Sequence, residues 1–171
     1  MSRAYLILKA FHSRDRSLMV KAYSTHVRPM LEYCSPVWSP HTSCQINRIE
    51  KVQRSFTKRI AGLWSVPHDK RLDVLKLHSL EYRRISNDLV LCYEILNGKL
   101  DTDLSNVFKL NSNSGTSGHA FKLRKLGCDL DSAKYYFTNR VTNLWNNLPE
   151  NMVAATTVSI FKNHLAVIKL I

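Results

Sequence analysis

The sequence predicts a mainly α-helical fold: a larger basic helical lobe and a smaller C-terminal helical lobe, with at most a short β-hairpin or strand. Three observations carry this. Apolar residues recur three and four positions apart over long stretches, the spacing of a single helical face. Glycine and proline stand at the ends of those stretches, as at Gly62, Asn97-Gly98 and Leu148-Pro149. Apolar-polar alternation, the signature of a strand, is short and lies at residues 120–126. With 171 residues, 44% of them apolar, the chain has enough material to bury a core.

Taken in order, Tyr5, Leu6, Leu8 and Lys9 begin a helix that ends near His12-Ser13. Ser13 or Asp15 then caps a second helix carrying Leu18, Met19, Ala22, Tyr23 and Val27. Pro29 is expected to bend or end it, because proline lacks an N–H and clashes one turn back. Residues 33–42, with Pro36 and Pro40 around Val37-Trp38, read as an extended, rigid connector in which Tyr33 and Trp38 are anchors and Cys34 is buried. In residues 45–61, Ile46, Ile49, Val52, Phe56 and Ile60 form an apolar stripe, and Arg48, Lys51, Arg54, Lys58 and Arg59 occupy the other side. Arg71, Leu72, Leu75 and Leu77 mark a short helix. Ser79 caps a longer one to Asn97, with the stripe Tyr82, Ile85, Leu89, Cys92, Tyr93 and Leu96. Arg83 and Arg84 fall off that stripe, at the surface or beside Glu81 and Asp88. The polar run at 111–118 is a flexible linker by composition. It divides a first lobe, with regions 1–62 and 63–110, from a C-terminal lobe at 119–171. In that lobe residues 133–147 form a helix with Phe137, Val141, Leu144 and Trp145 inward, and residues 158–170 a last helix with Phe161, Leu165 and Ile168. Trp145 and Pro149 are expected to be structural anchors, as is Pro29. Tyr135-Tyr136-Phe137 reads as a helix face.

Charge narrows the partners. The 25 Lys and Arg exceed the 13 Asp and Glu by 12. The excess is +8 in residues 1–62, −1 in 63–105 and +5 in 106–171. A cationic surface favours polyanions, since each phosphate neutralised releases condensed counterions. A five-residue cationic face opposite an apolar stripe suits a phosphate backbone, although an ordinary solvated helix face has the same pattern. No stretch approaches the roughly 20 apolar residues that span a bilayer, and the first residues do not form a secretory signal. An intracellular protein with reduced thiols is expected: Cys34, Cys44, Cys92 and Cys128 make no Cys-x-x-Cys pair. The spacings of His26, Cys34, His41 and Cys44 fit no standard zinc finger. A nucleophile built from Cys34 or Ser35 with His26 or His41 has no support beyond co-occurrence. No catalytic or metal-binding residue is assigned.

Three blocks of the chain carry a family resemblance. The first is Val27-Arg28-Pro29, Leu31-Glu32-Tyr33 and Val37-Trp38 with Pro40, followed by Ile46, Ile49-Glu50, Val52-Gln53-Arg54 and Phe56-Thr57-Lys58. The second runs from Arg71-Leu72 through Leu75, Leu77, Ser79-Leu80-Glu81 and Arg83-Arg84 to Asp88-Leu89, Tyr93, Ile95-Leu96 and Gly98. The third comprises Phe137, Arg140-Val141, Trp145-Asn146, Leu148-Pro149, Val153, Ala155, Val158, Phe161-Lys162 and Leu165. Together they resemble the region after the polymerase core in reverse transcriptases of LINE-type, jockey-like non-LTR retrotransposons. His68 departs from the family, which often has an aromatic residue there.

The resemblance implies a thumb and the tail beyond it, a helical unit that grips template RNA and DNA primer, or their hybrid duplex, by the backbone. Binding through Arg48, Lys51, Arg54, Lys58 and Arg59 is the implied role, without base-specific readout. Catalysis in the family needs paired carboxylates holding two divalent metals about 3.5–4 Å apart. This chain has no adjacent Asp-Asp pair, and Asp101 with Asp103 and Asp129 with Asp131 read as turn or cap residues. The palm, fingers and metal are therefore expected outside it, and no cofactor within it. Two alternatives are an autonomous RNA- or DNA-binding helical module and a translated relic without selected activity.

Overall fold

The computed structural model describes residues 3–101, 107–111, 119, 121–125, 127 and 131–168. Its architecture is mainly α, with one two-stranded antiparallel sheet. Contacts divide the chain into two units, Met1–Arg84 and Ile85–Ile171.

The first unit contains α1 (Arg3–Ala10), α2 (Arg16–His26), α3 (Arg28–Glu32), α4 (Ser35–Trp38), α5 (Ser43–Thr57), α6 (His68–Leu75) and the first turn of α7 (Leu80–Leu96). Its core joins Ile7 and Leu8 of α1, Met19 and Tyr23 of α2, Phe56 of α5, then Ile60, Leu63 and Leu75. The Tyr23 and Phe56 rings are 5.0 Å apart. The second helix starts where Asp15 takes two donors, the Leu18 N–H and the Ser17 hydroxyl, each at 3.0 Å. These bonds, led by the one from Leu18, hold the Asp15 carboxyl below its ordinary range. A depressed folded-state pKa means that the cap's contribution is complete above the unfolded value of about 3.9 and is lost as pH falls through the lowered value. Asp15→Ala is thus expected to melt below the native chain near neutral pH, with the gap narrowing in strong acid. Parallel thermal melts at the two pH values check this.

Pro29 acts as expected on α2, which stops at His26, but the chain re-enters a helix at once. Proline in the first turn of α3 loses nothing, because that N–H would have no intrahelical partner. The same logic corrects the reading of residues 33–42 as extended. Cys34 takes a left-handed conformation (φ 55°), and Ser35-Pro36-Val37-Trp38 form one helical turn closed by Ser39 N–H to the Ser35 carbonyl at 2.9 Å. Tyr33 is 80% exposed and Trp38 40%, so neither is a core anchor. The Trp38 indole N–H instead closes a local loop onto the Tyr33 carbonyl at 2.6 Å, and Cys34 is exposed.

Ser79 caps α7 through the Tyr82 N–H at 3.1 Å. The helix ends in a Schellman arrangement at Gly98 (φ 61°), with Lys99 N–H bonded to the Glu94 carbonyl and Gly98 N–H to that of Ile95. Arg83 is half-buried against Glu32, its Nη2 2.8 Å from Oε2, and Arg84 is buried. Neither is a surface arginine, because α7 is covered on more sides than its apolar stripe indicates.

In the second unit Leu89, Cys92 and Tyr93 of α7 pack with Phe108, Val141, Trp145, Phe161 and Leu165. Residues 85–110 therefore group with the C-terminal part, where the sequence placed them in the first lobe. The stripe of α7 supplies the apolar floor on which the later helices close. Residues 112–118 of the predicted linker lie outside the described residues, as do Asp103, Cys128, Asp129 and Leu170. Strand β1 (Lys109–Leu110) pairs antiparallel with β2 (Leu123–Arg124), Lys109 opposite Arg124 and Leu110 opposite Leu123. Residues 131–135 form a 3₁₀ turn instead of helix, so Tyr135 and Tyr136 are exposed before α8 (Phe137–Asn146) begins. After Pro149, α9 (Glu150–Val153) is a short helix not anticipated from the sequence, and α10 (Val158–Val167) follows.

Asn146 ties α8 to the sheet: its carbonyl oxygen accepts from Leu123 N–H and its amide donates to the Leu123 carbonyl, both at 2.8 Å. Arg140 makes a two-pronged bond to buried Asp88, at 2.7 and 3.0 Å. Burial, followed by the charge of Asp88, pushes the Cys92 thiol well above its ordinary range. Among the described residues no helix is long and apolar enough to cross a membrane, and no three His, Cys, Asp or Glu side chains gather as metal ligands.

Candidate nucleic-acid interface

Helix α5 is built as two opposed faces. Phe56 is buried in the core, and Ile46, Ile49 and Val52 are half-buried. The same inward face also buries Glu50, Gln53 and Thr57, a polar set that the apolar stripe gave no reason to expect.

Each of these polar groups has a partner from another element. Gln53 accepts the Tyr23 hydroxyl at 2.8 Å and donates to the His78 carbonyl at 3.0 Å. Burial, then the charges of Glu50 and Glu32, push the Tyr23 hydroxyl far above its ordinary pKa and keep it a donor. Glu50 accepts the Leu80 N–H at 2.9 Å and meets His68 Nε2 at 3.1 Å. His68 Nδ1 faces Arg71 Nη2 at 3.5 Å, and a guanidinium only donates, so Nδ1 is the accepting nitrogen and Nε2 carries the proton toward Glu50. Arg71, 4% exposed, also spans three further acceptors: the Thr57 hydroxyl at 3.2 Å, the Val66 carbonyl at 2.8 Å and the Arg54 carbonyl at 3.2 Å. Burial, with repulsion from Arg54 second, lowers its pKa. Its charge also faces the carbonyl end of α5, where a cation is favourable.

With its inner face fixed by this network, α5 turns Arg48, Lys51 and Arg54 outward, and the chain, which leaves the helix after Thr57 and not at residue 61, presents Lys58 at the C-cap and Arg59 in the following turn, all five exposed. The structure thus brings the five sequence-predicted cations onto one side. None of the five forms an ion pair with an acidic side chain among the described residues. Arg59 donates to the Ser55 carbonyl at 3.1 Å, and the Lys58 ammonium lies 4.4 Å from the centre of the Trp64 ring. From Arg48 to Lys58 the row covers about 15 Å, or four to five nucleotide steps of about 3.4 Å.

Two depressions follow this row. One, of 320 Å³, lies where α1 meets α5, with Tyr5, Leu8 and Val52 on its apolar wall and Arg48, Lys51 and Arg59 on its cationic rim. The other, of 530 Å³, runs past Asn47 and Ser55 and is edged by Arg48, Lys51, Arg54 and Lys58. Arg48 and Lys51 border both. Tyr5 lines the first depression, and Trp64 stands beside Lys58 without lining either one; sequence reasoning assigned neither to this surface. Tyr5 is indistinguishable from a core position in a helical pattern, and the one signal for Trp64 was a large aromatic side chain in the turn after Gly62. Of the expected anchors, Trp145 is fully buried in the second unit, while Pro29 and Pro149 are exposed at helix starts.

No protein-family model matches the chain, and no solved structure matches it. An uncharacterized protein of Caenorhabditis elegans is 26% identical over 96 residues, which cover 54% of this chain and 48% of that protein. The aligned stretch therefore spans about half the length of the curated relative.

Proposed function

We propose that this chain is the thumb and C-terminal portion of a non-LTR retrotransposon reverse transcriptase, and that it grips the template–primer hybrid through α5 while a palm supplied elsewhere performs the chemistry. The observation that carries the reading is the row of five outward cations without acidic partners among the described residues, mounted on a helix and the turn that ends it, the helix's inner face being pinned by buried hydrogen bonds. A clamp on a duplex backbone needs fixed positive charge at phosphate spacing and no base-reading groups. The ordered sequence blocks around Val27–Tyr33, Leu80–Leu96 and Trp145–Leu165 support the same assignment. Met30, Tyr33 and Val37, more than half exposed on or beside α3 and α4, are the surface this reading assigns to contact with the palm.

The test is a salt titration of binding to an RNA–DNA hybrid, comparing the native chain with a variant carrying Arg48, Lys51, Arg54 and Lys58 as glutamine. Each phosphate contact contributes about 0.9 to the logarithmic salt slope, so the loss of four cations should make the variant's slope shallower by about 3.6 and its affinity about 10²–10³-fold lower. Negligible binding by the folded native chain, equal to that of the variant, would sink the reading.

A further inference from the structure

We propose that Trp64 and Lys58 form a stacking site for one unpaired base, at which a single strand leaving the hybrid is held. The inference rests on the reading of α5 as a backbone clamp and adds the kind of nucleic-acid end that the clamp prefers.

Trp64 is 70% exposed although both flanks of its segment are anchored. Ile60 and Leu63 are each 2% exposed and belong to the core. Ala61 N–H bonds to the Arg14 carbonyl at 3.0 Å, Leu63 N–H to that of Ile60 at 3.1 Å and Val66 N–H to that of Leu63 at 3.3 Å. Arg71 holds the Val66 carbonyl at 2.8 Å. Gly62 supplies the left-handed turn (φ 74°) at which a side chain would also press on the Arg16 guanidinium, 3.1 Å from the Cβ position. A segment this firmly tied presents its indole to solvent as a fixed feature of the fold.

Lys58 sits over the indole ring at 4.4 Å, which orients the ring and leaves most of its surface open. The same Lys58 closes one edge of the groove bordered by Arg48, Lys51 and Arg54. A strand whose phosphates follow that groove therefore reaches the indole at Lys58, with a base face and a phosphate addressed by adjacent side chains. Bases inside a duplex are stacked on their neighbours and present no free face, whereas an unpaired base does. Indole stacking accepts any base, so the site selects an overhang over a blunt end without selecting sequence.

The experiment compares one RNA–DNA hybrid, blunt or carrying a short single-stranded extension, on the native chain, Trp64→Ala and Trp64→Phe, with circular dichroism confirming the fold of each. The native chain should prefer the extended hybrid about 5- to 100-fold. Trp64→Ala should lose that preference and keep its affinity for the blunt hybrid, and Trp64→Phe should fall between. A native chain that binds blunt and extended hybrids equally, or a Trp64→Ala variant that keeps the preference, overturns the stacking site and leaves the clamp standing. Absence of binding to both hybrids by the folded native chain overturns the clamp and the stacking site together.

Discussion

Replacing Glu50 by alanine is expected to cost the first unit about 2–5 kcal/mol, a large part of the stability of a small domain. The carboxylate accepts from two groups at once: the backbone N–H of Leu80, which opens α7, and Nε2 of His68, which opens α6. Alanine removes both acceptors, leaving the Leu80 N–H buried without its partner, at a penalty of about 1–3 kcal/mol, and the half-buried His68 Nε2 without its carboxylate. Glu50→Gln should fall between, since the amide keeps one acceptor but turns an N–H toward the other donor. Because Glu50 lies on the inner face of α5, Glu50→Ala should also weaken the proposed hybrid binding, although Glu50 is on the side opposite the cations. Urea denaturation of the three proteins measures the effect. An alanine variant within 0.5 kcal/mol of native would show that this network does not hold the helix.

Trp145→Ala should be at least as damaging in the second unit, at about 3–5 kcal/mol. The indole is wholly buried, with its centre 6.0 Å from the rings of both Phe161 and His119, and its N–H donates to the Phe121 carbonyl at 2.8 Å. Truncation leaves a cavity among α7, α8 and α10 and strips that carbonyl of its donor. Trp145→Phe keeps most of the volume and loses the hydrogen bond, so about 1–2 kcal/mol is expected. Hydrogen exchange should localise the loss to amides of α8 and α10, and retention of native protection there by Trp145→Ala would refute the argument.

The features legible in the sequence are those governed by near neighbours. Asp15 and Ser79 bond three residues ahead, Gly62 and Gly98 supply positive φ where their turns need it, and the stripes of α5 and α7 follow helical spacing. Arg48, Lys51 and Arg54 of α5 are readable for the same reason, being set by helical periodicity, whereas Lys58 and Arg59 stand in the turn after the helix. What escaped depends on partners far along the chain. Glu50 meets Leu80 thirty residues on, Arg71 reaches back to Thr57 and Arg54, and Arg83 reaches Glu32 across fifty-one. A charged residue signals surface unless its distant partner is known, so these positions could not be told from solvated ones. Pro36 and Pro40 point to an extended connector, though proline is at home in the first turn of a helix, and the division of the chain within α7 has no compositional mark.

The unneutralised row on α5 has a cost to the protein by itself. Four positive groups along about 15 Å, with Arg59 just beyond them, repel one another, and dissolved ions relieve that repulsion in the free chain just as they would compete with it for the proposed nucleic acid. Ionic strength is therefore expected to act with opposite signs on the two properties: raising it firms the unbound fold while loosening the proposed complex. In the proposed clamp a polyanion seated on the row relieves the same tension, and would serve in part as the counter-charge that no acidic side chain among the described residues supplies to it.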